Sequence, residues 1–105
     1  MLNDADLERY ARQVIMPHVG EDGQEKLLGA KVLVVGAGGL GAPVIFYLAA
    51  AGIGHITIID DDMVSRTDLN RQIIYREEDV GRAKAQLAAQ AAQAINPDIQ
   101  ISHLV

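Results

Sequence analysis

The sequence predicts an α/β fold: a doubly wound parallel sheet, represented by its first β-α-β-α-β half and preceded by a helical arm. Three observations carry this. Lys31 to Asp62 reads KVLVVGAGGLGAPVIFYLAAAGIGHITIIDDD, which is a β-branched run, a glycine turn, an apolar segment of helical length, a second β-branched run and an acid. Gly36, Gly38 and Gly41 stand at G-x-G-x-x-G spacing, and Asp60 follows Gly41 by 19 residues. A further helical segment and a third alternating run close the chain. That order describes one mononucleotide-binding half of a Rossmann-like sheet in residues 31–105, with residues 1–30 as the arm.

In the arm, Asn3 and Asp4 suit a helix N-terminus, and Leu7, Tyr10, Ala11, Val14 and Ile15 recur at helical spacing up to Pro17. Glu8 and Arg12 are four apart, the spacing of a surface ion pair. Glu21 to Leu28 forms a second short helix, stopped by Gly29. Val32 to Val35 has the composition of a strand buried on both faces. In the turn, Gly36 permits the tight bend and Gly38 lets backbone N–H groups approach a phosphate. Gly41 lets the helix lie close on the sheet, and free N–H groups at the helix start attract an anion.

With a helix start near Gly39, Pro43 falls among the first four residues, whose N–H groups have no intrahelical partner. The helix runs to Gly52 and is apolar all round, so burial on more than one side is expected, under more chain or another subunit. Ile56 to Ile59 is the second strand, ending on Asp60, where an acid can accept hydrogen bonds from ribose hydroxyls. Ser65 to Gln72 is polar and rich in capping residues, a loop with a helical turn. Ile73 to Tyr75 is a short extended or core-contacting piece, and Asp79 to Arg82 is a turn at Gly81. A helix from about Arg82 to Ile95 places Leu87, Ala91 and Ile95 on one face. Asn96-Pro97 ends it, and Ile99, Ile101 and Leu104-Val105 alternate as a third strand.

The totals exclude several function classes. The 105 residues make at most one domain. A net charge of −5 argues against a general nucleic-acid binder. No cysteine is present, so no disulfide, thiolate zinc site or cysteine nucleophile exists within these residues. The first residues are polar and acidic, unlike a signal peptide, and a cytoplasmic location is expected. Val32 to Gly54 carries no charge, but its six glycines and Pro43 fit strand, turn and helix, so no membrane partner is expected.

A glycine turn and an acid indicate a nucleotide. A nicotinamide dehydrogenase, with NAD(P) on the turn, needs little more. An adenylyltransferase using ATP also needs cations for the β- and γ-phosphates, whose charge grows on the leaving pyrophosphate. Arg71 follows the second strand and Lys84 opens the next helix, both on the carboxyl edge where ligands bind in such sheets. Taken singly, each reads better as a solvated charge or an ion pair with Glu77, Glu78 or Asp79. With the turn, the pair favours ATP. A non-catalytic interaction module is the third reading: the first strand has a bare edge, and bare edges pair with other chains.

RYARQ at 9–13, GAGGLGAPVIFYLAAAGIG at 36–54, IDDDMVSRTDLNRQ at 59–72, VGRAKA at 80–85 and INP at 95–97 together resemble the ThiF/MoeB/HesA superfamily, bacterial relatives of ubiquitin-activating enzymes. The resemblance implies ATP on the glycine turn. It implies adenylation of the C-terminal glycine carboxylate of a ubiquitin-like sulfur-carrier protein, in molybdopterin, thiamin or related biosynthesis. By position, Gly36, Gly38, Gly39 and Gly41 would contact phosphate, and Asp60 would hold the ribose. Arg71 and Lys84 would bind the phosphates, with Asp62, Asp68 and Gln72 in the nucleotide-binding set. Arg12 would act in trans across a homodimer. The family usually has asparagine where this chain has Asp68, and a carboxylate there repels a triphosphate unless Mg²⁺ or a cation intervenes. Family members run to more than twice this length. The Mg²⁺ ligand, the carrier surface and any zinc site are therefore expected outside these residues, which alone are expected to be an inactive N-terminal part.

Overall fold

The computed structural model describes residues 1–105 and has the element order α1 (Asp4–Arg9), α2 (Ala11–Val14), α3 (Gly20–Gly29), β1 (Lys31–Val35), α4 (Gly41–Ala51), β2 (His55–Ile59), α5 (Lys84–Ile95) and β3 (Gln100–Leu104). The three strands form one parallel sheet in the order β1-β2-β3. This is the expected α/β, Rossmann-like arrangement, with β1 on an edge.

Both crossovers step the same way across the sheet. Right-handed connections then put α4 and α5 on the same side, where they pack on each other. The core lies between them and the sheet: Ile45 and Ala49 of α4, Ile56 and Ile58 of β2, and Ala85, Ala88 and Ala92 of α5 are all at or below 1 % exposure. The alanines let two helices and a sheet approach closely, since no long side chain holds them apart.

This one-sided layering departs from the expectation for β1. β1 is not buried on both faces: Val32 and Val34 pack against the core, while Leu33 and Val35 are 58 % and 76 % exposed. On α4, Val44 and Tyr47 are 49 % and 77 % exposed, on the side expected to lie under more chain or another subunit. Of Leu87, Ala91 and Ile95, expected together on one face of α5, only Leu87 is buried. The helix starts at Lys84, and Ala85, Ala88, Ala89 and Ala92 form the core face while Ile95 is 39 % exposed. The larger residues dominated the periodicity, whereas close helix packing selected the small ones.

The arm departs from a continuous helix. Asn3 caps α1 with a reciprocal capping box to Asp6, but Tyr10 leaves helical geometry (φ −105°, ψ 17°) and divides α1 from α2. Glu8 and Arg12 form no ion pair, because the break lies between them. The break lets the Tyr10 ring turn inward to 1 % exposure. Its hydroxyl accepts from Asn96 Nδ2 at 2.8 Å, and the same amide group donates to the Ala49 carbonyl at 2.9 Å. Gln13 and Gln24 both donate to the Ala51 carbonyl at 3.0 Å. Polar side chains thus reach the carbonyls at the C-terminal end of α4: Ala51, which has no backbone donor, and Ala49, which also takes the Gly52 amide.

Gly52 ends α4 in the left-handed region (φ +92°), and a Cβ there would lie 2.6 Å from both Gln24 Nε2 and the Tyr10 ring. The arm therefore seats on a surface that only glycine leaves clear. Asn96→Ala strands the Tyr10 hydroxyl in a fully buried site and leaves the Ala49 carbonyl with only the Gly52 amide. It is expected to cost about 2–3 kcal/mol in urea unfolding, the penalty for buried unpaired polar groups.

Candidate functional site

The site forms where β1 and β2 end. β1 runs into Gly36, whose φ of +99° requires glycine, and the Gly36 amide continues the ladder by donating to the Ile59 carbonyl at 2.8 Å. The chain then folds back so tightly that a Cβ on Gly41 would lie 1.9 Å from the Gly36 carbonyl oxygen. Gly36 and Gly41 thus take the bend and close-approach roles expected of them. α4 begins at Gly41 rather than Gly39, leaving Pro43 in its first turn, where the missing N–H costs nothing.

Gly38 and Gly39 lie in the loop before the helix. A Cβ on Gly38 would meet only the Gln72 side chain, at an ordinary 3.5 Å, and one on Gly39 would meet nothing. The amides of Gly38, Gly39, Leu40 and Gly41 donate to no acceptor within the protein, whereas Ala42 N–H bonds to the Gly38 carbonyl at 3.0 Å. Four consecutive free N–H groups at the start of an eleven-residue helix make a concentrated anion-binding surface.

Asp60, at the end of β2, accepts from the Ala37 amide through Oδ2 and the Asp62 amide through Oδ1, both at 2.7 Å. Its observed work is to tie the second strand to the glycine turn. Tyr75 closes the turn from below by donating its hydroxyl to the Ala37 carbonyl. Tyr75 is 4 % exposed, and burial followed by the nearby Asp60 charge raises its pKa, so the phenol stays a donor. Ile73 to Tyr75 is therefore core-contacting through Ile74 and Tyr75. It is not a strand, and Ile73 is 86 % exposed.

Lys84 is the first residue of α5, an unfavourable place for a cation on dipole grounds. It is nevertheless 4 % exposed. Its Nζ lies 3.1 Å from Asp68 Oδ2, 3.9 Å from Asp62 Oδ2 and 5.9 Å from the centre of the Tyr75 ring. Asp68 sits at the end of the 3-10 turn Arg66–Asp68, where its Oδ2 also accepts the Ser65 amide at 2.9 Å. That amide first and the Lys84 ammonium second lower the Asp68 pKa.

Arg71 is more open. Its Nη1 donates to the Thr67 carbonyl at 3.0 Å and Asn70 Oδ1 at 3.1 Å, and its Nη2 lies 3.9 Å from Asp68 Oδ1. Gln72 is 6 % exposed, lies against Gly38 and has Nε2 3.5 Å from Asp68 Oδ1. The cations thus do not pair with Glu77, Glu78 or Asp79. Those acids take Arg66, Arg76 and Arg82 instead.

The structure brings together every residue assigned to the nucleotide except Arg12. Arg12 is exposed and free of ion pairs on α2, whose neighbour Gln13 is fastened to Ala51 at the opposite end of α4. Eleven helical residues put roughly 16 Å between the ends of that helix. Tyr75 and Ala37 were missed by the sequence reading. A tyrosine after two isoleucines carries no sign that its hydroxyl will be needed by a glycine turn.

Asp60, Asp61 and Asp62 place carboxylate oxygens within 4.8 Å of one another. They do not fit a prepared Mg²⁺ site: both Asp60 oxygens are held by amides, and Asp62 leans toward Lys84. No helix is long and apolar enough to cross a membrane.

Residues 10–105 match the ThiF family. The chain is 49 % identical over 100 residues to the SAMP-activating enzyme E1 of Haloferax volcanii, covering 95 % of this chain and 37 % of that protein. It is 46 % identical over 103 residues to the sulfur carrier protein ThiS adenylyltransferase of Escherichia coli, covering 98 % and 41 %. Among solved structures, the E. coli tRNA N6-threonylcarbamoyladenosine dehydratase TcdA in complex with ATP superimposes with a TM-score of 0.88 at 36 % identity, covering 99 % of this chain and 42 % of that one. The chain thus spans about two fifths of the length of each of these proteins.

Proposed function

This chain belongs to the ThiF family, and we propose that it holds ATP for an adenylyltransferase that activates the C-terminal glycine carboxylate of a ubiquitin-like sulfur-carrier protein. The observation that carries this is the convergence of four unpaired amides, Lys84 and Arg71 at the carboxyl edge of the sheet. The name of the E. coli relative and the ATP bound to TcdA support it. The nicotinamide reading is not favoured, since the E. coli relative is named as an adenylyltransferase and TcdA is in complex with ATP.

In the reaction a carboxylate oxygen attacks the α-phosphorus, the bond to the bridging oxygen of the β-phosphate breaks, and pyrophosphate leaves. The turn amides of Gly38, Gly39 and Gly41, in the bend set by Gly36, hold phosphate oxygens. Lys84 and Arg71 neutralise charge on the departing pyrophosphate, and Gln72 supports them. Asp60 has lone pairs left for ribose hydroxyls beside the amides it already holds. Arg12 reaches the site of a partner subunit in a homodimer, which accounts for a free cation far from its own turn.

Residues 1–30 serve as an arm on the nucleotide-binding half in 31–105. Mg²⁺ accompanies ATP on ligands other than these residues, and the cysteine-free chain does not fit a thiolate zinc site. A cytoplasmic setting goes with the use of ATP.

Parallel calorimetric titrations with ATP and NAD test the reading. Heat of binding is expected with ATP and not with NAD. A preference for NAD, or binding of neither, overturns it.

A further inference from the structure

Lys84 and Arg71 are both already engaged by one carboxylate. Asp68 presents Oδ2 to the Lys84 ammonium at 3.1 Å and Oδ1 to Arg71 Nη2 at 3.9 Å. The Lys84 and Asp68 side chains are only 5 % and 12 % exposed, so water screens this pair weakly. The same Oδ2 also accepts the Ser65 amide at 2.9 Å, and Oδ1 faces Gln72 Nε2 at 3.5 Å. One anion, its oxygens shared among an ammonium, a guanidinium and an amide, is the arrangement a phosphate takes in a protein site.

We propose that Asp68 is a built-in substitute for the distal phosphates of the nucleotide, competing with them for Lys84 and Arg71 and so setting how strongly the site prefers triphosphate over monophosphate. This rests on the ATP reading above. A β- or γ-phosphate must draw Lys84 off Asp68 and then lie beside a carboxylate left with fewer counter-charges. The cost falls on ATP and pyrophosphate. AMP ends at the α-phosphate on the turn amides and escapes it. The substitute also gives a lysine at a buried helix start its counter-charge in the nucleotide-free chain. Asp62, 3.9 Å from Lys84 and 72 % exposed, is too solvated to hold it in the same way.

The test compares wild type, Asp68→Asn and Glu78→Gln by calorimetry with ATP and with AMP. Asparagine keeps the shape and an oxygen for the Ser65 amide. Glu78→Gln makes the same change in net charge at an exposed residue paired with Arg76. Asp68→Asn is expected to tighten ATP at least about tenfold, the scale of one released charge-assisted hydrogen bond, and to leave AMP within about twofold. Glu78→Gln is expected to move neither.

Unchanged or weaker ATP binding by folded Asp68→Asn, or equal tightening of AMP, overturns the proposal. Binding of ATP by none of the chains overturns the ATP reading, and this inference with it. The wild-type chain offers a second measurement: the NMR signal of the Lys84 ammonium should move on addition of ATP and stay with AMP. A signal unmoved by saturating ATP also overturns the proposal.

Discussion

Gly41→Ala should leave most of the chain without its native fold. The added methyl group would sit 1.9 Å from the Gly36 carbonyl oxygen and 2.7 Å from its carbon, and both are backbone atoms that no rotamer change can move. Relief requires either the end of β1 or the start of α4 to shift. The first breaks the ladder bond from Gly36 to Ile59, and the second lifts Ala42 and Ile45 out of the core. The expected loss is at least about 3 kcal/mol, a large part of the stability of a domain this size. Thermal unfolding followed by circular dichroism measures it. Gly39→Ala is the contrast, since its Cβ meets nothing within 4 Å and its φ is not positive. Equal stability of wild type and Gly41→Ala would show that the turn is looser than described.

The second large effect is on the ligand. Lys84→Met keeps the apolar stem against Tyr75 and removes the charge. ATP affinity is expected to fall roughly 100-fold, or roughly 3 kcal/mol, the upper range for one hydrogen bond to a charged group. AMP affinity should change little, because its phosphate lies on the turn amides alone. Calorimetry with both nucleotides separates this from unfolding, which would abolish both. A variant that binds ATP like wild type would remove Lys84 from the phosphate site.

Much of this was legible in the residues because it depends on local chemistry. Glycines at G-x-G-x-x-G spacing between two β-branched runs specify a turn that few other backbones could use, and Asp60 falls at the strand end by count alone. Arg71 and Lys84 were placed on the correct edge because parallel strands put their following loops together. The contacts that join these parts were not legible. That Lys84 rests on Asp68 depends on a 3-10 turn bringing residue 68 over the start of α5, which no periodicity encodes. That β1 is covered on one side depends on both crossovers turning the same way, a property of the whole sheet. That Tyr10 breaks the first helix depends on Asn96, which is 86 positions away.

That separation has a consequence for how the chain is made. During synthesis Tyr10, Gln13 and Gln24 emerge well before Asn96, and their intended partners at the end of α4 are exposed before α5 exists to cover them. Non-local closure of this kind comes late, because the entropy of joining distant segments must be met before any contact returns it. The bonds of Gln13 and Gln24 to Ala51 can form once α4 has emerged, and the bond between Asn96 and Tyr10 acts as a latch that shuts when α5 has followed.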